Sequence, residues 1–473
     1  MENDISGKGK ERVRKKLPAE WFGIAPLLLL SLGAFALWGF NAPHKSVLGV
    51  VLAAAALLLF TLGLILAVPN AFAFFGGEAA DRPAEPGERS RRRGRMHPIL
   101  GVVLMALLSR TLLLIAAYVI SLIANGYTGT FFKTLPAIWM KNGANAYLVG
   151  QGTFFSEYAN NCLVLPLYPI IVKGMSFITG SDFASGMILN TLFSCGTAAA
   201  VYELALTDMG RRSARMAVFF AFAMPAAVFL AVPDCMALFM LLVSLSLLFM
   251  RKGKFWLAGL FGGLASFTHI WGILLIVPYT AEALAHAVKR FKTSGKEGFW
   301  KVVLSEAGFM LLIPLGFFGY MLFTRIVLGS FTVFVSGDPV YLAALSDPLT
   351  RARLFADTLL FGRISNAELL GQVLPGLLYF FGALVLFVAS ARTLRTSYTL
   401  WFVACFAVSG LEGFGTIPLL FTVTLAAPIA LAHLCDSRDD GAGAVRAQAK
   451  AAAAGSVLLV GQILCLIMFA AGY

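Results

Sequence analysis

"PILGVVLMALLSRTLLLIAAYVISLIA", Pro98 to Ala124, decides the fold of this chain. Arg110 is its single charged residue, and as a helix it is long enough to cross the roughly 30 Å hydrocarbon core of a bilayer. The run lacks the every-second-residue alternation of a barrel strand, and in lipid only helices and closed barrels satisfy the backbone. Similar runs recur from end to end. Across its 473 residues the chain is 59% hydrophobic and 13% charged, with a mean hydropathy of +0.83. A soluble domain carries roughly a quarter charged residues. The pattern predicts an all-α polytopic membrane protein.

Apolar stretches of spanning length predict about thirteen transmembrane helices. They fall at 21–40, 47–70, 98–124, 184–207, 214–232, 234–250, 255–267, 270–287, 302–327, 373–391, 397–411, 416–435 and 452–472. Lys8, Lys10, Arg12, Arg14, Lys15 and Lys16 precede the first, which has no small-residue cleavage site and reads as a retained signal anchor. The basic residues of the connections concentrate at Arg82 with Arg89 to Arg95, Arg211 to Arg215, Arg251 to Lys254, Lys289 to Lys301, and Arg392 with Arg395. The positive-inside rule puts these and the N-terminus in the cytoplasm. Most of the net charge of +13 is thereby a topology signal, and nucleic acid is not expected as a partner.

This alternation leaves two long outer loops, 125–183 and 328–372, and requires the apolar stretch 162–179 to be re-entrant or interfacial. Lys173, Pro166 and Pro169 also argue against a simple span there. Three units result: an N-terminal helix pair with its basic linker (1–97), a core (98–435), and a linker with a last helix (436–473). Cys162, Cys195, Cys235, Cys405, Cys435 and Cys465 are scattered, without metal-ligand or redox spacing, and read as small buried hydrophobes.

The outer face collects the residues that can carry chemistry. "WMKNGANAY", Trp139 to Tyr147, is a polar island bounded by aromatics that stack well on sugar rings; it offers Lys141 and Asn145 but no carboxylate. "FFSEYANNCLVLPLYP", Phe154 to Pro169, adds Glu157, Asn160, Asn161 and Tyr168. The hairpin "VPDCMALF" adds Asp234, "SFTHIWG" adds His269 and Trp271, and "GDPVYL" adds Asp338. Each has a plainer reading. Asp234 can cap the helix that follows. His269 can be a hydrogen-bonded interfacial histidine, Glu157 a solvated loop charge, and the aromatics an interfacial belt. Arg110 inside a span costs a few kcal/mol unless paired or snorkelling, so it is expected to hold an anion or an internal acid.

The order of these segments resembles the PIG-V-type mannosyltransferases of the GT-C class, especially their bacterial relatives. The likeness covers about residues 98–435. It rests on Ser109 with Arg110, on "WMKNGANAY", on "ANN" and "LPLYP" between Ala159 and Pro169, and on "FLAVPDCMALF", "LASFTHIWGILLIVP" and "GDPVYL". It implies a GT-C-like helical bundle in a bacterial cytoplasmic membrane, with its active face outside. The donor would be a polyprenyl-phosphate sugar drawn from the membrane lipid, with no cofactor and no metal. A carboxylate in the first outer loop would deprotonate the acceptor hydroxyl as it attacks the anomeric carbon, with inversion. Groups around the leaving phosphate would stabilise its charge.

The chain departs from that pattern where the chemistry sits. The family's aspartate falls at Gly143, its neighbouring histidine at Ala146, the second-motif glutamate at Met236 and the third-motif arginine at His269. Glu157 is the substitute base expected by position, with Asp234 second. Three readings stand: a transferase with a displaced base, a non-catalytic relative that binds lipid-linked sugar or supports an active enzyme as a partner subunit, and a transporter of lipid-linked sugar. The acceptor is not identified. The topology is tested by cysteine accessibility: Tyr147→Cys and Ser90→Cys are expected to label from opposite sides of the membrane, and labelling from one side overturns the assignment.

Overall fold

A computed structural model describes residues 47–75, 98–125, 165–331, 373–409, 415–436 and 442–471. Every regular element among the described residues is helical. In chain order they are α1 (Val47–Phe75), α2 (Pro98–Asn125), α3 (Leu167–Thr179), α4 (Asp182–Leu206), α5 (Arg211–Ala223), a 3₁₀ turn (Pro225–Ala231), α6 (Met236–Arg251) and α7 (Phe255–Thr268). A second 3₁₀ turn (Ile270–Leu275) leads to α8 (Ile276–Met310), α9 (Leu312–Leu328), α10 (Leu374–Ser390), α11 (Thr396–Ser409), α12 (Ile417–Val423), α13 (Ala426–Leu434) and α14 (Ala442–Ala471). Among the described residues, 6 helices are long and apolar enough to cross a membrane, or up to 8 if each of two bent pairs is one span. The protein is a multi-pass helical membrane protein. The expected span 21–40 lies outside the described residues.

Four departures from the expected spans have physical causes. The run 214–232 is not one rod: α5 and the following 3₁₀ turn meet at 76°, where Pro225 cannot donate the next helical hydrogen bond. The run 416–435 bends by 66° between α12 and α13, at Leu425, whose φ of 63° takes it out of the right-handed helix. The basic connection 288–301 is helical rather than a loop. α8 folds back at Gly295 (φ 65°, ψ −155°), so the Tyr279 hydroxyl donates to the Glu306 carbonyl at 2.8 Å and His286 Nδ1 meets Glu306 Oε1 at 2.7 Å. The last helix begins at Ala442, ten residues before the expected 452, because "AGAVRAQAKAAAAG" is rich in the strongest helix former.

A bent helix frees backbone groups that lipid cannot satisfy. Here other helices bind them. Arg110, 1% exposed, donates from Nη1 to the Ala227 carbonyl at 2.5 Å and from Nη2 to the Phe222 carbonyl at 3.3 Å. Its guanidinium also lies 5.2 Å from the centre of the Phe222 ring. Gln462 of α14 donates to the Phe222 carbonyl at 2.8 Å, and the Tyr379 hydroxyl of α10 accepts from the Ala226 amide at 3.3 Å. At the second bend Trp401 Nε1 donates to the Thr424 carbonyl at 2.7 Å. Arg110 is expected to hold an anion or an internal acid; in the structure its guanidinium bonds the carbonyls of a broken helix.

α7 packs extensively against α9 and α6, and α4 against α6. The α7–α9 contact is a close backbone approach. A Cβ on Gly259, Gly263 or Gly316 would fall far inside van der Waals contact of the Phe309, Leu312 and Gly263 carbonyl oxygens respectively. Gly259 and Gly263 stand four apart on one helix face, the small-residue spacing by which membrane helices approach. Gly263→Val is expected to destabilise the protein by about 3 kcal/mol or more, because backbone cannot yield as a side-chain tip does. Gly382→Ala, which meets open space, is the near-neutral comparison. Melting temperatures of the two variants in detergent check this.

Candidate functional site

The bundle has two polar rims, joined by α4. Asn190 stands about 12 Å from the start of this helix, and Leu206 closes its other end. At 1.5 Å per residue they are about 24 Å apart, close to the thickness of a hydrocarbon core.

At the first rim the chain between the 3₁₀ turn and α6 makes a tight reversal, in which the Asp234 amide donates to the Val232 carbonyl at 2.7 Å. Asn190 clamps it, donating from Nδ2 to the carbonyls of Val232 and, at 3.3 Å, Asp234. Asp234 Oδ1 accepts from the Met236 amide at 2.8 Å, so its carboxyl satisfies the first free amide of α6 from the residue before the N-cap Cys235. Tyr168, fully buried on the first turn of α3, lies near enough to Asn190 and Asp234 to interact with both. Just before it, Leu165 packs with Tyr320 of α9 beside Phe267 of α7. α7 ends at His269, whose extended backbone starts the next 3₁₀ turn and whose Nδ1 accepts from the Trp271 amide at 3.3 Å. The imidazole sits 4.3 Å from the Trp271 ring and 5.4 Å from that of Phe239, one turn beyond the Asp234 reversal.

Three chain-distant segments, carrying Tyr168, Asp234 and His269, thus meet at one end of the bundle. Trp139, Lys141, Asn145, Tyr147, Glu157, Asn160, Asn161 and Asp338 lie outside the described residues, as do Gly143 and Ala146. α3, within the stretch expected to be re-entrant or interfacial, is 13 residues long, too short to span as a helix. Its far end exposes Phe177 (84%) and Ile178 (80%), side chains suited to lipid. Asn190, the clamp, was missed by the sequence reading. Its signal was available: an amide inside an apolar span seeks a partner across the helix interface.

Burial pushes the Asp234 carboxyl up to about 8, although the Met236 amide favours its anion. Burial likewise lowers His269 to about 4. Both groups are therefore neutral near pH 7.

The second rim gathers the basic connections that lie among the described residues. Arg251, the last residue of α6, donates from Nε to Asp208 Oδ2 at 3.2 Å and from Nη2 to Oδ1. Arg395 grips Glu282 with two bonds, 2.7 and 2.9 Å, and Ser397 Oγ donates to the same carboxylate at 2.6 Å. The Tyr398 hydroxyl donates to Asp208 Oδ2 at 3.1 Å. Burial opposes ionisation of Asp208, but Arg251, Arg395 and Tyr398 outweigh it and hold the carboxyl below its usual range. The network ties α4, α6, α8 and α11 at one level. Glu282, a carboxylate within an apolar run, was its unread signal.

Among the described residues no group of three or more His, Cys, Asp or Glu side chains could hold a metal ion. No protein-family model matches the chain, and no curated protein matches it.

The two shifted groups give a pH signature. Between about pH 4 and 6.5 the folded state holds a proton on Asp234 that the unfolded state lacks, and lacks the one that unfolded His269 holds. These cancel. From 6.5 to about 8 only the Asp234 proton remains, so stability falls as pH rises through that window. Asp234→Asn is expected to abolish this fall and leave a rise between pH 4 and 6.5 from His269, as read by melting temperature in detergent across the pH range.

Proposed function

We propose that this protein is a GT-C-like membrane glycosyltransferase that takes mannose, or a similar hexose, from a polyprenyl-phosphate carrier at the outer face of a bacterial cytoplasmic membrane. The observation that carries the reading is the meeting of α3, the Asp234 reversal and the His269 break at the rim opposite the basic one. A lipid-linked donor needs a polar reaction centre beside an apolar approach, and α3 joins the two: buried Tyr168 at its start, exposed Phe177 and Ile178 at its end. In this reading the fold has about thirteen spans, the N-terminus is inside, and the donor is a substrate that requires no cofactor.

Glu157 is assigned as the base, and Trp139, Lys141, Asn145 and Tyr147 with Asn160, Asn161 and Asp338 as the donor-binding loop residues. Asp234 ranks second because a carboxyl pushed up to about 8 still holds its proton near pH 7. It nevertheless stands in part for the second-motif glutamate: the family's acid falls at Met236, and the Asp234 carboxylate lies 2.8 Å from the amide of that residue. Tyr168 and His269 line the centre as neutral hydrogen-bonding groups, while Arg110 holds the scaffold through the broken helix.

A second reading, a non-catalytic relative that binds the same donor and supports an active partner subunit, is favoured by the glycine at 143 and the alanine at 146. Transport is less well supported. Discontinuous helices are a hallmark of transporter sites, but here Arg110, Gln462, Tyr379 and Trp401 already bond groups freed at the two bends.

Glu157→Gln keeps size and hydrogen bonding but removes the base, so transfer of radiolabelled mannose from its polyprenyl phosphate is expected to fall by about 10²–10⁴-fold with donor binding retained. Undiminished transfer by the variant overturns the assignment of Glu157. Wild-type protein that binds donor and transfers nothing establishes the second reading instead.

A further inference from the structure

The basic rim holds a cleft of about 440 Å³ that the salt-bridge network does not fill. Its lining is chemically divided. Phe74 of α1, Met250 and Phe255 form an apolar wall, and Arg251, Lys252, Lys289, Arg290 and Arg395 bring positive charge from α6, α8 and the start of α11. Glu282 is the single carboxylate among the lining residues, and His286 stands beside it on α8.

The cations differ in what they already hold. Arg251 and Arg395 are bound to Asp208 and Glu282, and Arg395 also lies 4.9 Å from the centre of the Phe74 ring. They form a fixed floor. Lys252 reaches Glu203 at 3.2 Å, an exposed pair of the kind that contributes little and exchanges readily. His286 faces Glu306 at 2.7 Å. Arg290, exposed on the arm of α8 that leads to the Gly295 reversal, has no acidic partner within 4 Å among the described residues. Lys289 precedes it at the same mouth. Buried, paired arginines together with the exposed Lys289 and Arg290 make a site for a group with several anionic oxygens. Arginine matches such a group with its planar fork, and lysine adds a point charge.

We propose that this cleft binds a phosphate group, with Arg290 and Lys289 as its principal contacts. The phosphate has two sources. One is the headgroup of an anionic phospholipid, whose glycerol and first methylenes would lie along Phe74 and Phe255; basic pockets between helices at a membrane surface take such headgroups. The other is a soluble phosphate compound entering from the aqueous side. The site stands apart from the proposed transferase centre and does not depend on that reading.

The test uses the full chain, as wild type, as the double variant Lys289→Ala with Arg290→Ala, and as Lys173→Ala, an exposed cation outside the cleft. Each is placed in mixed phosphatidylglycerol and phosphatidylcholine nanodiscs and released for native mass spectrometry, with and without about 10 mM inorganic phosphate, ten times a Kd of about 1 mM. The expected result is preferential retention of phosphatidylglycerol by wild type and Lys173→Ala, reduced by about tenfold in the double variant. Retention that resists inorganic phosphate assigns the lipid source. Protection of wild type alone against thermal unfolding by inorganic phosphate in neutral-lipid nanodiscs assigns the soluble one. Equal phosphatidylglycerol retention by wild type and the double variant, with no phosphate protection of either, overturns the proposal. Matching melting temperatures of the two proteins in neutral lipid without phosphate establish that the double variant is folded, since both replaced side chains are exposed.

Discussion

Every backbone group that leaves a helix inside a bilayer must be bonded by protein, because lipid offers no donor or acceptor. That constraint governs the centre of this structure. Pro225 breaks the helix that began at Arg211, and around the break the Phe222 and Ala227 carbonyls and the Ala226 amide are bonded from other helices. Three helices distant in sequence close the gap, through Arg110, Gln462 and Tyr379. Placing an arginine in mid-membrane costs about 2.5–3.5 kcal/mol by insertion measurements. Hydrogen bonds to a charged donor return about 1.5–3 kcal/mol each, so two carbonyl bonds and the Phe222 ring offset the cost. The arginine and the break explain each other.

The bend also positions the first rim. Because α5 does not continue straight, the chain reaches the Val232–Asp234 reversal against α4, where Asn190 fixes it. The Asp234 carboxylate is thereby buried against the start of α6, and the burial that raises its pKa follows from that position. His269 arrives by a different route: α7 is drawn onto α9 through Gly259, Gly263 and Gly316, and its end is carried to the same rim. A glycine contact in the hydrocarbon layer and a clamp at its edge together set which polar groups face one another.

The opposite rim is built on charge. Asp208 and Glu282 are each gripped by an arginine and by a hydroxyl, so the cost of burying the carboxylates is met by short, well-directed bonds. Such a network fixes the register of α4, α6, α8 and α11. It also leaves exposed cations beside an apolar wall. The buried polar groups of the two ends thus differ: neutral, hydrogen-bonded side chains at one, and ion pairs at the other.

The sequence by itself determined the class of the protein and the placement of six of the fourteen described α-helices. Apolar runs of about 20 residues have few outlets other than membrane helices, and α2, α4, α6, α7, α10 and α11 begin and end within a few residues of the runs that encode them. Gly259 and Gly263 announced a close helix contact, had their spacing been read. Among the described residues, the basic connections, identified by charge alone, gather at one rim. What the sequence could not determine was the bend at Met224, the reversal at Gly295, and the partners of Arg110, Asn190 and Glu282. A proline states that a helical bond is missing but not which distant side chain replaces it; a lone polar residue in an apolar run states that a partner exists but not where. Those choices belong to tertiary packing, since only the folded bundle brings residues more than one hundred positions apart, such as Arg110 and Ala227, within hydrogen-bonding distance.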